Sequence, residues 1–234
     1  MRGRLLLRTV APAGCLLGIM AWPQPEASAL AAAALGLAGA LVGWVLPVWA
    51  RWLVARWRLP LTRGEPPRWH SAALAACVAA FFGRAGYESS LQWPLAPTLG
   101  ALTWLGLVAA VDLQTKLIPN RLTYPALLAA PAFVALLPGA SPVAHLLGGI
   151  AGGTLFGLAF LTHPRGMGLG DVKLAIVLGL YLGIERGLVA LTSGVLLGGL
   201  AALGLLLAGR ERMAPFPYGP ALAAGAALTL LVGT

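Results

Sequence analysis

Cysteine, histidine and acid are all scarce. Only Cys15 and Cys77 occur in 234 residues, both inside apolar runs, which excludes a disulfide framework and a CxxC metal site and leaves them as packing residues. His70, His145 and His163 stand in three separate places without ligand spacing, so no metal and no other cofactor is expected. Asp and Glu number 7 against 16 Lys and Arg, and all four types together make only 10% of the chain, whereas 59% is hydrophobic. A mean hydropathy of +0.85 with so little charge excludes a soluble domain. Repeats of 20–50 residues, the mark of solenoids, are also missing.

What is present is a succession of apolar runs: 9–22, 29–50, 71–82, 95–111, 122–138, 143–162, 172–184, 188–208 and 216–233. A span needs about 20 apolar residues, so the pattern predicts an all-α, polytopic integral membrane bundle of about eight to nine segments. The 31 Gly and 18 Pro fit this class, since membrane helices use small residues for close packing and tolerate breaks that neighbours satisfy. The chain divides into 1–28, 29–94 and 95–234. Its first part, with Arg2, Arg4 and Arg8 ahead of a short apolar run and the small trio Ala27, Ser28 and Ala29, reads either as a retained short span or as a signal-like segment. Its second part holds a basic loop over 51–70.

The charges lie between the runs. If each run crosses once, one side collects Arg2, Arg4, Arg8, Arg51, Arg56, Arg58, Arg63, Arg68, Lys116, Arg121, Arg165, Lys173, Arg210 and Arg212, and the other keeps Arg84 and Arg186. By the positive-inside rule the first side is cytoplasmic. Basic charge spread this way beside a membrane points to anionic lipid headgroups as partners and excludes nucleic acid. Asp112, closing the run 95–111, and Asp171, opening the run 172–184, both fall on that cytoplasmic side.

Two carboxyls meeting there could hydrolyse a peptide: one takes a proton from water, the other donates one to the scissile carbonyl, and the pair shares a single proton. The run 172–184 rises only about 20 Å against a hydrocarbon thickness of about 30 Å, which sets Asp171 below the headgroups. Gly166, Gly168 and Gly170 allow a turn at that depth, and a bare backbone admits an extended substrate strand. Plainer readings stand beside this one. Asp171 is a good N-cap for a helix starting at Val172, Asp112 a solvated interfacial acid paired with Lys116 or Arg121, and Lys173 a snorkelling lysine or a partner for a carboxylate or a lipid phosphate.

The stretches Val111 to Thr123 (VDLQTKLIPNRLT), Gly166 to Ala175 (GMGLGDVKLA) and Pro215 to Gly225 (PFPYGPALAAG) together resemble the bacterial type IV prepilin peptidases, GxGD-type membrane aspartic proteases. Tyr218 stands where Phe is usual. The resemblance implies a peptidase core over 95–234 in a multi-pass protein of the bacterial inner membrane. It implies an endopeptidase that removes a short basic leader from prepilin or pseudopilin-like precursors on the cytoplasmic side, just before their hydrophobic helix. Asp112 and Asp171 match the catalytic pair; Gly168, Gly170, Lys173, Pro119 and Asn120 match accompanying positions with supporting roles.

The front of the chain departs from the family. Gly43 to Arg51 reads GWVLPVWAR where bifunctional members carry Gly-Ser-Phe-Leu-Asn, and the loop 51–70 has no cysteine; this removes the ground for zinc and for the N-methyltransferase activity that often accompanies the peptidase. Two other functions remain open: a GxGD protease acting on other membrane substrates, and a non-catalytic scaffold or transporter. Oligomeric state has no signature here.

Overall fold

A computed structural model describes residues 25–61, 68–87, 95–137, 139–163, 167–207, 209 and 217–232. The apolar run 9–22 and Gly166 lie outside them. Every described element is helical: α1 Pro25–Trp57, α2 Arg68–Tyr87, α3 Leu95–Thr115, α4 Asn120–Ala135, α5 Pro142–Thr162, α6 Leu169–Leu207 and α7 Gly219–Val232. Four of them contain stretches long and apolar enough to cross a membrane by length and composition: Ala29–Trp57, Pro97–Thr115, Pro142–Thr162 and Leu169–Leu207. Large apolar side chains such as Leu37, Leu41, Leu128, Leu158 and Leu200 face outward, as they must where the surrounding solvent is hydrocarbon.

The bundle is all-α as expected, and among its differences from the sequence reading three bear on the site. α1 continues past the run 29–50, so Arg51 and Arg56 ride on its last turns and not in a loop. α6 begins at Leu169, not Val172. Its length is the third difference. As a straight rod, 39 residues would reach about 58 Å, nearly twice the hydrocarbon thickness. The rod is folded: Gly183 has φ 80 and ψ 179, and a β-carbon on Gly187 would lie 3.1 Å from the Cα of Gly179, although positions eight apart on a straight helix are about 12 Å apart. α6 is therefore a hairpin of two arms, 169–182 and 184–207. The sequence placed the break in the polar stretch 185–187; the structure places it at Gly183, the residue whose backbone only glycine adopts without strain.

Local chemistry sets the other ends. α3 stops where Lys116 turns left-handed at φ 54, and Pro119, in extended conformation, precedes α4, whose first bonds run from the N–H groups of Leu122 and Thr123 to its carbonyl. Ser141 caps α5, its Oγ accepting from the N–H of Ala144 at 3.4 Å, with Pro142 at the first turn.

Packing puts α7 between α3 and the second arm of α6, α1 and α2 against α3, and α5 and α4 against α6. Small residues make the closest of these contacts: Gly148 and Gly152 of α5 leave no room for a β-carbon against Gly179 and Ala175 of α6, nor does Gly225 of α7 against Ala190 and Gly194. α7 is thereby wedged between α3 and α6, and its N-terminus meets Asp112.

Candidate active site

Asp112 sits in the last turn of α3 and is 3% exposed, so the reading of it as a solvated interfacial acid is overturned. Its Oδ2 accepts a hydrogen bond from the N–H of Gly219, the first residue of α7, at 2.8 Å. Asp171 lies in the first turn of α6. It does not cap a helix starting at Val172; its Oδ2 reaches back to accept from the N–H of Gly168 at 3.0 Å, while its own N–H donates to the Gly168 carbonyl at 3.1 Å. That is the acidic half of a capping box. Each carboxyl is thus oriented by one backbone N–H at the start of a helix, through one of its two oxygens. The two are near enough for their charges to interact, and Tyr218 lies within the same electrostatic reach of Asp171.

The motif positions around them interlock. Gly170 faces Ile118: a β-carbon there would lie 2.9 Å from the Ile118 Cβ and 3.1 Å from its carbonyl oxygen. The glycine permits contact between the start of α6 and the turn 116–119. Lys173 Nζ donates to Asn120 Oδ1 at 2.6 Å and to the Tyr124 hydroxyl at 3.3 Å, with its charge 4.9 Å from the centre of the Tyr124 ring. Pro119 orders the turn by starting α4 directly after it. Asp112, Pro119, Asn120, Gly168, Gly170, Asp171 and Lys173 therefore all gather at one end of the bundle, from α3, α4, α6 and the segments leading into them.

Three contributors escaped the sequence reading: Gly219, Ile118 and Tyr124. Gly219 had a signal, the glycine-proline pair that opens the last apolar run. It acts through a backbone N–H, which no side-chain pattern reveals. The histidines do not join the site. His145 is buried in α5 and its Nδ1 donates at 2.9 Å to the Leu180 carbonyl, which the break at Gly183 leaves without its helical partner. His163 lies at the end of α5 beside Thr162, and the side chain of His70 is outside the described residues. Among the described residues, no three His, Cys, Asp or Glu side chains gather as metal ligands would.

A model of the type IV leader peptidase family matches residues 99–203. The chain is 36% identical to a prepilin leader peptidase/N-methyltransferase of Bacillus subtilis (strain 168) over 158 residues, which covers 67% of this chain and 63% of the relative. It is 37% identical to proteins of the same name from Burkholderia pseudomallei (strain 1026b), over 70% of this chain and 53% of the relative, and Aeromonas salmonicida (strain A449), over 58% and 50%. The chain thus spans between half and two thirds of the length of these relatives. No solved structure matches it. The matched region contains both acids, the turn between α3 and α4 and the α6 hairpin as far as residue 203, and over it the chain is similar to the type IV leader peptidase family.

Proposed function

We propose that this protein is a membrane aspartic endopeptidase that removes a short basic leader from prepilin-like precursors. The observation that carries the reading is the convergence of Asp112 and Asp171 at one end of the bundle, each steered by a single backbone N–H. A water between them loses its proton to the ionised carboxylate as it attacks the scissile carbonyl carbon, and the protonated partner donates to the carbonyl oxygen. The tetrahedral intermediate then collapses as the amine leaves with a proton, and the pair returns to its shared-proton state. The names of the similar proteins supply the substrate class, and the concentration of Lys and Arg on the site's side of the membrane supports a cytoplasmic site. Anionic lipid beside those residues would hold a basic leader close. Lys173, Asn120, Pro119, Gly168 and Gly170 serve by shaping the frame around the acids.

The methyltransferase named in the relatives is left out of the proposal, because residues 43–70 lack the stretches on which that resemblance would rest. The test is Asp112→Asn and Asp171→Asn in purified protein given a prepilin-like precursor. Each variant should insert and pack normally and lose at least about 10³-fold in cleavage rate. Undiminished processing by both well-folded variants would remove the aspartic mechanism, and cleavage of a signal peptide in preference to the precursor would reassign the substrate.

A further inference from the structure

Between α3, α4, the first arm of α6 and α7 lies an apolar cavity of about 400 Å³. Its wall includes Trp104 and Leu105 of α3, Ala126 of α4, Val177 of α6 and Ala226 of α7. These are the four helices that build the candidate active site, and the offsets along them agree. Leu105 is seven residues from Asp112, Ala126 six from Asn120, Val177 six from Asp171 and Ala226 seven from Gly219. At 1.5 Å per residue, and with Pro125 of α4 reaching the wall one residue sooner than Ala126, the four helices first meet the cavity about 8–11 Å from their site residues, toward the bundle's middle. The hollow therefore lies directly beneath the acids on the hydrocarbon side.

We infer that this cavity is the subsite for apolar side chains of the substrate on the membrane side of the scissile bond. The inference rests on the peptidase reading above and gives the site a specificity. A chain leaving the acids toward the bundle's middle meets a wall that offers almost no hydrogen-bond partners: the Tyr181 hydroxyl that borders it is already committed to the Ala126 carbonyl at 3.0 Å, and the Tyr181 ring packs at a tilt of 36° against Phe133 with centroids 4.6 Å apart. Polar side chains entering there would be desolvated without compensation, whereas apolar ones bury surface. The volume suits a few side chains and not a whole helix. A distance of about 10 Å is covered by about three extended residues or about six to seven helical ones, so the residues selected are those about three to seven beyond the cut.

Gly100 provides the probe. It lines the far part of the cavity, twelve residues or about 18 Å along α3 from Asp112, and a β-carbon added to it meets nothing within 4 Å, so Gly100→Phe adds bulk at the cavity wall without a clash at its first side-chain carbon. The protein, reconstituted in nanodiscs, is given two peptides: a precursor with leader, scissile bond and a twelve-residue apolar segment, and the same peptide ending two residues after the bond. Wild type should favour the long peptide in kcat/KM, and Gly100→Phe should cut that preference about tenfold, mainly through KM. Asp placed in turn at positions three to seven of the long peptide should reduce its cleavage by wild type about tenfold or more, a measurement that does not depend on how the variant folds. Equal kcat/KM for both peptides, or indifference to Asp at every one of those positions, overturns the subsite while leaving the peptidase intact. A preference that follows the acyl-chain length of the nanodisc lipid and ignores Gly100→Phe assigns the cavity to lipid and equally overturns it. If wild type cuts neither peptide, the peptidase reading and the subsite fall together.

Discussion

A β-carbon on Gly219 would stand 2.8 Å from Asp112 Oδ2 and 3.1 Å from its Cγ, closer than carbon and carboxylate approach without displacement. Gly219→Ala must therefore push the carboxyl off the N–H that aims it or lift the start of α7. Misplacing a reacting group by about 1 Å costs about 10²-fold in rate, so kcat should fall by about that factor while the helical content seen by circular dichroism is unchanged; an active Gly219→Ala would show that the Gly219 contact does not orient the acid. Gly170→Val should also abolish cleavage with the protein still inserted. Here the obstacle is identifiable as Ile118, whose Cβ and carbonyl oxygen already crowd the glycine; the sequence pointed to crowding of the turn and of a substrate strand's approach without naming the neighbour. The smaller clash of Gly170→Ala should give an intermediate loss, and equal activity in all three proteins would deny the glycine any role in seating α6 against the turn 116–119.

At the scale of elements, the α6 hairpin holds Asp171 in place from its far end. Gly183 at φ 80 and ψ 179 occupies backbone space that is nearly closed to other residues, so Gly183→Ala should destabilise the protein by about 1–3 kcal/mol, read as a lowered midpoint of thermal unfolding. Near the site, α4 is tied to α6 by Lys173 through Asn120 and Tyr124. Since these groups are exposed, Lys173→Met should cost no more than about 1 kcal/mol in stability. The two halves of the site differ in how far they could be read from residues alone. Asp112 and Asp171 were legible because acids are rare and each ended or began an apolar run, and the count of crossings put them on one side. The hairpin was half legible: a polar interruption at 185–187 announced a break, but one reversal point among 31 glycines is decided by contacts with α5, where His145 takes up the Leu180 carbonyl. Gly219 was not legible as a ligand of Asp112, because the pairing joins residues 107 apart through a backbone group that every residue except proline possesses.

For the molecule as a whole, the strongest constraint is that the candidate site lies at one end of the bundle. The end of α3, the starts of α4, α6 and α7 and the contact of Arg121 with Trp57 at the end of α1 all belong to that end, while Gly139, Ser141, Gly183 and Arg186 share a cavity of about 320 Å³ at the other. Only the distribution of Lys and Arg says which end faces the cytoplasm. Single-cysteine proteins test this directly, after Cys15 and Cys77 are replaced by serine. Leu117, 48% exposed in the turn beside the acids, becomes Leu117→Cys, and Ser141, ahead of α5, becomes Ser141→Cys. In right-side-out membrane vesicles a membrane-impermeant maleimide should label position 141 and spare 117; in inverted vesicles the pattern should reverse. Labelling of both from one side would contradict the bundle itself, whereas a clean pattern of opposite sense would keep the fold and move the active site to the outer face, where the basic residues of α1 and α4 would break the positive-inside rule and a cytoplasmic leader could not be the substrate.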